Sequence, residues 1–238
     1  MQPAALGLPQ RGFFVDQGHQ VATVNRDGNA FDAAAASLAG GTTFVRYMSD
    51  PMAVDEIVAA VLAVSERIDC LVNNAGVADF RSIEETSFER WRTVMATNLD
   101  GVYLCSRAAL AALKQSHGSI VNISSISGLR ASTLRVAYGT SKAAVIHLTR
   151  FMGAQHVGEH ILVNGIAPGP FPTWMLSTGV GFGGETEGVD WQSIGDNNPS
   201  GRVGTPQDIA GLAMFLSSRA GAYISGHTIP CDGGIVAS

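Results

Sequence analysis

The stretch GSIVNISS (118–125) is a short apolar run with little alternation between polar and apolar residues. A helical segment follows at 136–157, and a second run of the same kind, HILVNGIAPG (160–169), comes directly after it. Strands that are buried on both faces have this composition, and two parallel strands need a crossover, usually a helix, between them. The stretch therefore predicts a strand–helix–strand unit within a parallel sheet.

The same alternation of strand and helix extends outward in both directions. Further strands are predicted at 19–25, 42–47, 68–74 and 227–231, and further helices at 28–39, 51–66, 87–115 and 206–218. Neither an internal repeat nor a linker interrupts this order. We therefore expect residues 1–238 to form a single α/β domain, with a doubly wound parallel sheet covered by helices on both faces.

Composition excludes several classes of protein. The chain has 46% hydrophobic residues and a formal net charge of −5 without a basic stripe, which argues against nucleic acid as a partner. No run of about 18 apolar residues predicts a membrane span, and no signal peptide is apparent. Three scattered cysteines, at 70, 105 and 231, fit reduced thiols in a cytoplasmic protein and have no metal-binding spacing.

Residues 169–205 do not continue the alternation of strand and helix. They are rich in Gly, Pro and Thr, and they contain Trp174 and Trp191. Such a segment can be a flexible insertion or a flap that covers a substrate. The large aromatic side chains favour the flap, and the segment leaves the carboxyl end of a strand, where ligands bind in open α/β sheets.

The segment AYGTSK (137–142) places Tyr138 and Lys142 four residues apart at the start of a helix. This spacing puts both side chains on one helical face, either as an ordinary surface pair or as an acid with a tuned pKa. A free tyrosine has a pKa near 10. A neighbouring ammonium group favours the phenolate and would lower that pKa toward the range of a useful proton donor.

Other polar residues fall at strand ends or on adjoining helices. These residues belong to seven segments that follow one another in a fixed order along the chain. The segments are LVNNAG, NLDGVY, IVNISSISG, AYGTSKAAV, VNGIAPGP, GRVGTPQDIAGLAMFL and the terminal DGG. This order resembles that of the classical short-chain dehydrogenase/reductase family over roughly residues 13 to 238. The resemblance implies a Rossmann-type fold and chemistry on a ketone or secondary alcohol.

The resemblance also implies a catalytic set. Tyr138 would be the general acid in reduction and the base in oxidation, and Lys142 would tune it and bind the nicotinamide ribose. Ser125, 13 residues before Tyr138, would donate a hydrogen bond to the substrate oxygen, a role for which Ser124 is the nearby competitor. Asn98 would hold a water that links Lys142 to solvent, although it could instead be a solvent-facing helical residue.

Cofactor contacts are implied at two strand ends. Asn74, Ala75 and Gly76 would lie along the adenosine ribose, Pro168 and Gly169 would pack on the nicotinamide, and the Ile166 backbone and Thr173 would bind its carboxamide. The strand at 19–25 ends in Asn25 and Arg26, where relatives that prefer NAD carry an acid. Arg26 can pair with a 2′-phosphate, which favours NADP over NAD, or it can be a solvated surface charge.

The amino-terminal residues depart from the family pattern. No strand precedes GFFVDQG (12–18), and Pro3 and Pro9 occupy glycine positions of the family's phosphate loop. Proline lacks an N–H and cannot supply that loop's amides. The usual first strand is therefore expected to be missing, through truncation or rearrangement. Tyr47 also replaces an acid that commonly holds the adenine.

We therefore expect an oxidoreductase that uses NADP or NAD on a small carbonyl or alcohol substrate. The alternative is a non-catalytic family member with impaired cofactor binding that serves as a subunit or binding protein. The helices at 87–115 and 136–157 carry more apolar surface than one sheet face needs. Family members commonly pair these two helices across a two-fold axis, so we expect a homotetramer.

Overall fold

The computed structural model describes residues 13–25, 41–45, 48–172 and 189–238. The strands are β1 (Val21–Asn25), β2 (Gly41–Val45), β3 (Cys70–Asn73), β4 (Ser119–Ile123), β5 (Leu162–Pro168) and β6 (Thr228–Cys231). The helices are α1 (Pro51–Ser65), α2 (Phe88–Met95), α3 (Gly101–Ser116), α4 (Val136–His156), α5 (Trp191–Asp196) and α6 (Pro206–Leu216). The predicted helix at 28–39 lies outside the described residues.

All the described strand pairs are parallel, which confirms the predicted α/β class. Strand β1 pairs with β2, and a second sheet runs in the order β3-β4-β5-β6. Within the described residues, no strand joins β1 to β3. Residues 1–12 lie outside the described residues, so the prediction that the usual first strand is missing stays a prediction.

Apolar clusters cover the two faces of the larger sheet. On one face, Val121 and Ile166 pack with Ile209 and Leu216 of α6. On the other face, Ile120 packs in a cluster with Leu113 of α3 and other buried residues. Neighbouring residues of β4 thus point to opposite faces of the sheet, and apolar side chains cover both faces. This is why the strand is an almost continuous apolar run in the sequence.

The predicted long helix at 87–115 is divided in the structure. A π-helical turn, Ala96–Asp100, separates α2 from α3, so one extra residue is accommodated in the middle of the helix. Turns of this kind occur frequently at functional sites. The turn contains Asn98, one of the predicted catalytic residues.

The segment at 169–205 contains one described helix, α5, whose first residue is Trp191. Its N-cap is Asp190, whose carboxylate accepts a hydrogen bond from the Ser193 N–H at 2.9 Å. Residues 173–188 lie outside the described residues, so the substrate-covering role of the segment stays a prediction.

Candidate active site

Asn98 is fully buried by the π-helical turn and does not face solvent. Its Oδ1 accepts a hydrogen bond from the Val77 N–H at 2.8 Å, and its Nδ2 donates to the Val77 carbonyl at 2.9 Å. The same Nδ2 also donates to the Ser141 hydroxyl at 3.0 Å. Asn98 therefore connects the loop after β3 to the first turns of α4, where Tyr138 and Lys142 lie.

Lys142 is also buried, with 3% of its surface exposed. Its ammonium donates to the Ile123 carbonyl at 2.8 Å, which anchors it at the carboxyl end of β4. A β-carbon added to Gly76 would lie 3.4 Å from both the Lys142 Nζ and the Asn98 Oδ1. Glycine at position 76 therefore leaves open a space that both polar groups border.

The two serines at the end of β4 have different partners. Ser124 is buried, and its hydroxyl donates to the backbone carbonyl of Lys142 at 2.8 Å, which ties the strand to α4. The Ser125 hydroxyl accepts a hydrogen bond from the Ser127 N–H at 3.1 Å and lies close enough to Tyr138 to lower its pKa. The geometry thus assigns Ser124 to packing and places Ser125 beside the phenol.

The pKa of Tyr138 does not follow the expectation from sequence. Burial raises the pKa of this half-buried phenol, while Ser125 and the positive charge of Arg135 oppose the increase. Burial also lowers the pKa of Lys142 to about 8. The Lys142 Nζ lies 5.8 Å from the centre of the Tyr138 ring and bonds to a carbonyl instead. The expectation that Lys142 lowers the pKa of Tyr138 is therefore wrong for this structure.

The predicted cofactor-facing residues follow two strand ends. Asn74, Ala75 and Gly76 continue from β3, and Ala75 is exposed. Pro168 ends β5, and the Gly169 N–H donates to the Cys231 carbonyl at 3.0 Å. A β-carbon at Gly169 would lie 2.7 Å from the Asp232 Cα, so only glycine fits between β5 and the turn after β6.

Other residues predicted to contact the cofactor lie within strands or outside the described residues. Ile166 is buried within β5, and its carbonyl accepts from the Ser124 N–H at 2.8 Å. Asn25 ends β1, opposite Val45. Arg26, Tyr47 and Thr173 lie outside the described residues, so the NADP and carboxamide contacts predicted there stay predictions.

Two supporting residues escaped sequence reasoning. Ser141 receives the Asn98 hydrogen bond, and Arg135 lies three residues before Tyr138 with its backbone in the left-handed region. No feature of the sequence distinguishes Ser141 from other small helical residues. Arg135 could have been flagged because its spacing of three places it within one turn of Tyr138, at the start of the helix.

The described residues contain no group of three or more His, Cys, Asp or Glu side chains arranged to hold a metal ion. In the same parts of the chain, no helix combines the length and apolar character needed to cross a lipid bilayer. All three cysteines are free thiols.

Known proteins are similar to this chain over most of its length. The sequence profile of a family described as enoyl-(acyl carrier protein) reductase matches residues 13–236. The 2-(S)-hydroxypropyl-CoM dehydrogenase 3 of Xanthobacter autotrophicus is 34% identical over 98% of this chain and 93% of its own length. A protein named inactive 2-(S)-hydroxypropyl-CoM dehydrogenase 2, from the same organism, is 37% identical over 94% of this chain and 97% of its own.

A solved structure shows the same fold. The active-site complex of Pseudomonas aeruginosa RhlG with NADP superimposes with a TM-score of 0.87 at 31% identity. The match covers 97% of this chain and 92% of the other. The likeness thus extends over almost the whole of both chains.

Proposed function

Because this chain belongs to the short-chain dehydrogenase/reductase family, and so is an oxidoreductase, we propose that Tyr138 exchanges the proton of its reaction on a ketone or secondary alcohol. One observation carries this proposal. Asn98, Ser125, Tyr138 and Lys142 come from three separate parts of the chain, and the structure brings them together at the carboxyl ends of β3 and β4.

The residues present fit a nicotinamide cofactor at this end of the sheet. Asn98 and Lys142 border the space beside Gly76, and the glycine leaves the backbone open to close approach by a ligand there. Gly76 and Pro168 would contact the cofactor, and Lys142 would bind its ribose hydroxyls. A bound nicotinamide dinucleotide supplies or accepts the hydride.

Proton transfer falls to this chain's own side chains. In reduction, Tyr138 gives its phenolic proton to the carbonyl oxygen as negative charge develops there, and Ser125 donates a hydrogen bond to the same oxygen. The raised pKa of Tyr138 keeps the phenol protonated at neutral pH and ready for this direction. Lys142, with a pKa of about 8, can release or accept a proton close to neutrality.

We further propose NADP rather than NAD as the preferred cofactor. The support is Arg26 after β1, where an acid would repel a 2′-phosphate, together with a relative whose solved complex contains NADP. The cytoplasm is the expected location, since three free thiols suit a reducing compartment.

The test has two stages. The purified chain is titrated with NADPH and with NADH, and it is then assayed for reduction of a panel of ketones, with the Tyr138→Phe variant in parallel. Turnover that disappears in the variant supports the proposal. Cofactor binding without turnover of any ketone or secondary alcohol would instead favour the non-catalytic alternative. The relative named as inactive makes that alternative worth separating.

A further inference from the structure

Arg135 has an unusual backbone position directly before α4. Its φ of 77° lies in the left-handed region, which residues other than glycine rarely adopt. The Arg81 carbonyl accepts hydrogen bonds from the N–H groups of both Arg135, at 2.9 Å, and Val136, at 3.3 Å. Strained residues of this kind persist where the surrounding structure holds them, and they cluster at functional sites. The backbone is thus held so that Arg135 lies one turn before Tyr138.

The guanidinium of Arg135 is half-buried and lies 4.7 Å above the centre of the Phe80 ring. Its Nη1 is 3.4 Å from the Ser127 hydroxyl, a long contact with a neutral group. Burial lowers its pKa, as it does for a cation removed from water. Among the described residues, no carboxylate forms an ion pair with Arg135.

The acid directly before Phe80 in the sequence, Asp79, already lies beside two other cations. Asp79 is buried, and its Oδ1 lies 3.5 Å from the Arg81 Nε and 3.7 Å from an Arg90 nitrogen. Asp79 thus lies near Arg81 and Arg90 and forms no ion pair with Arg135 among the described residues. The positive charge of Arg135 lies close enough to Tyr138 to oppose the increase in the pKa of that phenol.

A partly desolvated charge is costly unless a counter-charge joins it. The planar guanidinium fork matches carboxylate and sulfonate oxygens, and an aromatic ring beneath it fixes its orientation. Resting on the proposed function, we infer that Arg135 binds an anionic group of the substrate and that the site selects oxo acids or oxo sulfonates over neutral ketones. Arg135 would then determine specificity, and it would not take part in proton transfer.

A different role for Arg135 would leave a different signature. If its charge only adjusts Tyr138, its loss would change the turnover of charged and neutral ketones by the same factor. If it binds the substrate's anion, its loss would act on the charged member of each pair. The ratio of kcat/KM between an anionic ketone and its neutral counterpart therefore separates the two roles.

The experiment compares the unaltered chain with Arg135→Gln, Arg135→Lys and the control Arg130→Gln. Arg130 is exposed, lies in the same loop, and its side chain donates a hydrogen bond to the Ile235 carbonyl at 3.4 Å. The probes are 2-oxobutanoate, 3-oxobutanoate and 4-oxopentanoate, each with its methyl ester. A sulfonate arm pairs 2-oxopropanesulfonate with the corresponding methyl sulfone.

We expect the unaltered chain to prefer the anion at one chain length by at least about tenfold, as a charge-assisted bidentate pair provides. Arg135→Gln should lower that preference about tenfold or more, Arg135→Lys should retain part of it, and Arg130→Gln should keep it. The arm with the larger ratio identifies carboxylate or sulfonate as the preferred group.

Three results would overturn the inference: a preference for the neutral member at every chain length, an equal loss on both members in Arg135→Gln, or an equal loss in the control. Absence of any turnover that depends on Tyr138 would count against the proposed function instead. In that case calorimetric binding of 3-oxobutanoate and 2-oxopropanesulfonate decides the inference. Binding weakened in Arg135→Gln supports it, and unchanged or absent binding refutes it.

Discussion

At the scale of single residues, the site contains a buried cation that the fold must tolerate. Lysine is almost never fully buried unless it is paired, yet Lys142 has a neutral carbonyl as its hydrogen-bond partner. Its pKa falls to about 8 because burial disfavours the charged form. Strained or destabilised groups of this kind are typical of sites where function outweighs stability.

The first prediction concerns the proton donor. Tyr138→Phe removes the hydroxyl and keeps the ring, so turnover should fall by about 10²-fold to 10⁴-fold while dinucleotide affinity changes little. Lys142→Met should lower both turnover and cofactor affinity. Steady-state kinetics and binding titrations measure these effects, with Tyr223→Phe at an exposed position as the matched control. Substantial activity in Tyr138→Phe would remove this residue from the proposed role.

The second prediction concerns stability and pH. The pKa of Lys142 is about 8 in the folded chain against an ordinary value of 10.5, so the unfolded chain binds more protons between these values. The free-energy cost of burying the charged Lys142 side chain is therefore complete below about pH 8 and disappears above 10.5. Lys142→Met should therefore raise the free energy of unfolding at pH 7 by about 1–2 kcal/mol, after the lost hydrogen bond is subtracted.

Denaturant unfolding of both proteins across pH 7 to 10.5 tests this sign. The difference between the two should shrink as the pH rises. A Lys142→Met variant that is less stable than the unaltered chain at pH 7, or a constant difference over this range, would contradict it.

At the scale of elements, α6 begins with a capping box that also includes an ion pair. The Asp208 carboxylate accepts from the Thr205 N–H at 2.7 Å and from the Thr205 hydroxyl at 2.9 Å. Arg202 donates to both of its oxygens, at 2.9 and 3.2 Å. The hydrogen bond from Arg202, followed by those from Thr205, holds the pKa of Asp208 at about 2, against the opposing effect of burial.

The third prediction follows from this cap. Asp208→Ala should lower the free energy of unfolding at pH 7 by about 1–2 kcal/mol, mostly through the lost cap, because the exposed Arg202 pair is screened by solvent. The lowered pKa means that this stabilisation is present above pH 3.8 and is lost as the pH falls toward 2. The difference should therefore shrink in acid, whereas the exposed Asp55→Ala in α1 should change little at either pH.

At the scale of the whole molecule, the described strands form two parallel sheets, β1-β2 and β3-β4-β5-β6, and the proposed active site lies on the larger one. The edge strand β3 is half-buried along Cys70, Leu71 and Val72, while β4 inside the same sheet is buried throughout. The sheet β3-β4-β5-β6 thus carries the proposed catalytic residues at its strand ends. The part of the fold that would hold the adenosine end has only β1 and β2 among the described strands.

The fourth prediction concerns cofactor affinity. Pro3 and Pro9 cannot supply the amides of a phosphate loop, so two or three charge-assisted hydrogen bonds would be lost, at about 1.5–3 kcal/mol each. We expect the 238-residue chain to bind NADPH and NADH with dissociation constants well above the micromolar range. Grafting a strand and a T-G-x-x-x-G-x-G loop ahead of Phe13 should restore affinity. Low micromolar binding by the ungrafted chain would refute this account.

The fifth prediction concerns assembly. A groove of about 420 Å³ on α3 and α4 is lined by Tyr103, His147 and Phe151 among others, and Phe151 is 64% exposed. We expect a homotetramer in which this groove forms one two-fold interface. Phe151→Asp should halve the mass measured by light scattering. The control Val64→Asp, at an exposed position of α1, should leave that mass unchanged. A monomer mass for the unaltered chain at micromolar concentration would show that the groove is not an interface.

The sequence by itself determined the order of strands and helices, because apolar runs and helical periodicity are local signals. It also located Ser125, Tyr138 and Lys142 at strand and helix ends, since the carboxyl ends of parallel strands share one edge. The sequence also predicts that no strand precedes Phe13, and because residues 1–12 lie outside the described residues this stays a prediction.

Only the tertiary structure decided how these groups behave. The π-helical turn at Asn98 depends on partners at Val77 and Ser141, which lie 21 and 43 residues away in the chain. The directions of the Tyr138 and Lys142 pKa shifts both depend on burial of these side chains in the folded chain. Arg135 becomes a candidate for substrate recognition only through contacts with Phe80 and Arg81. Burial and distant contacts leave no periodic trace, so no local pattern could reveal them.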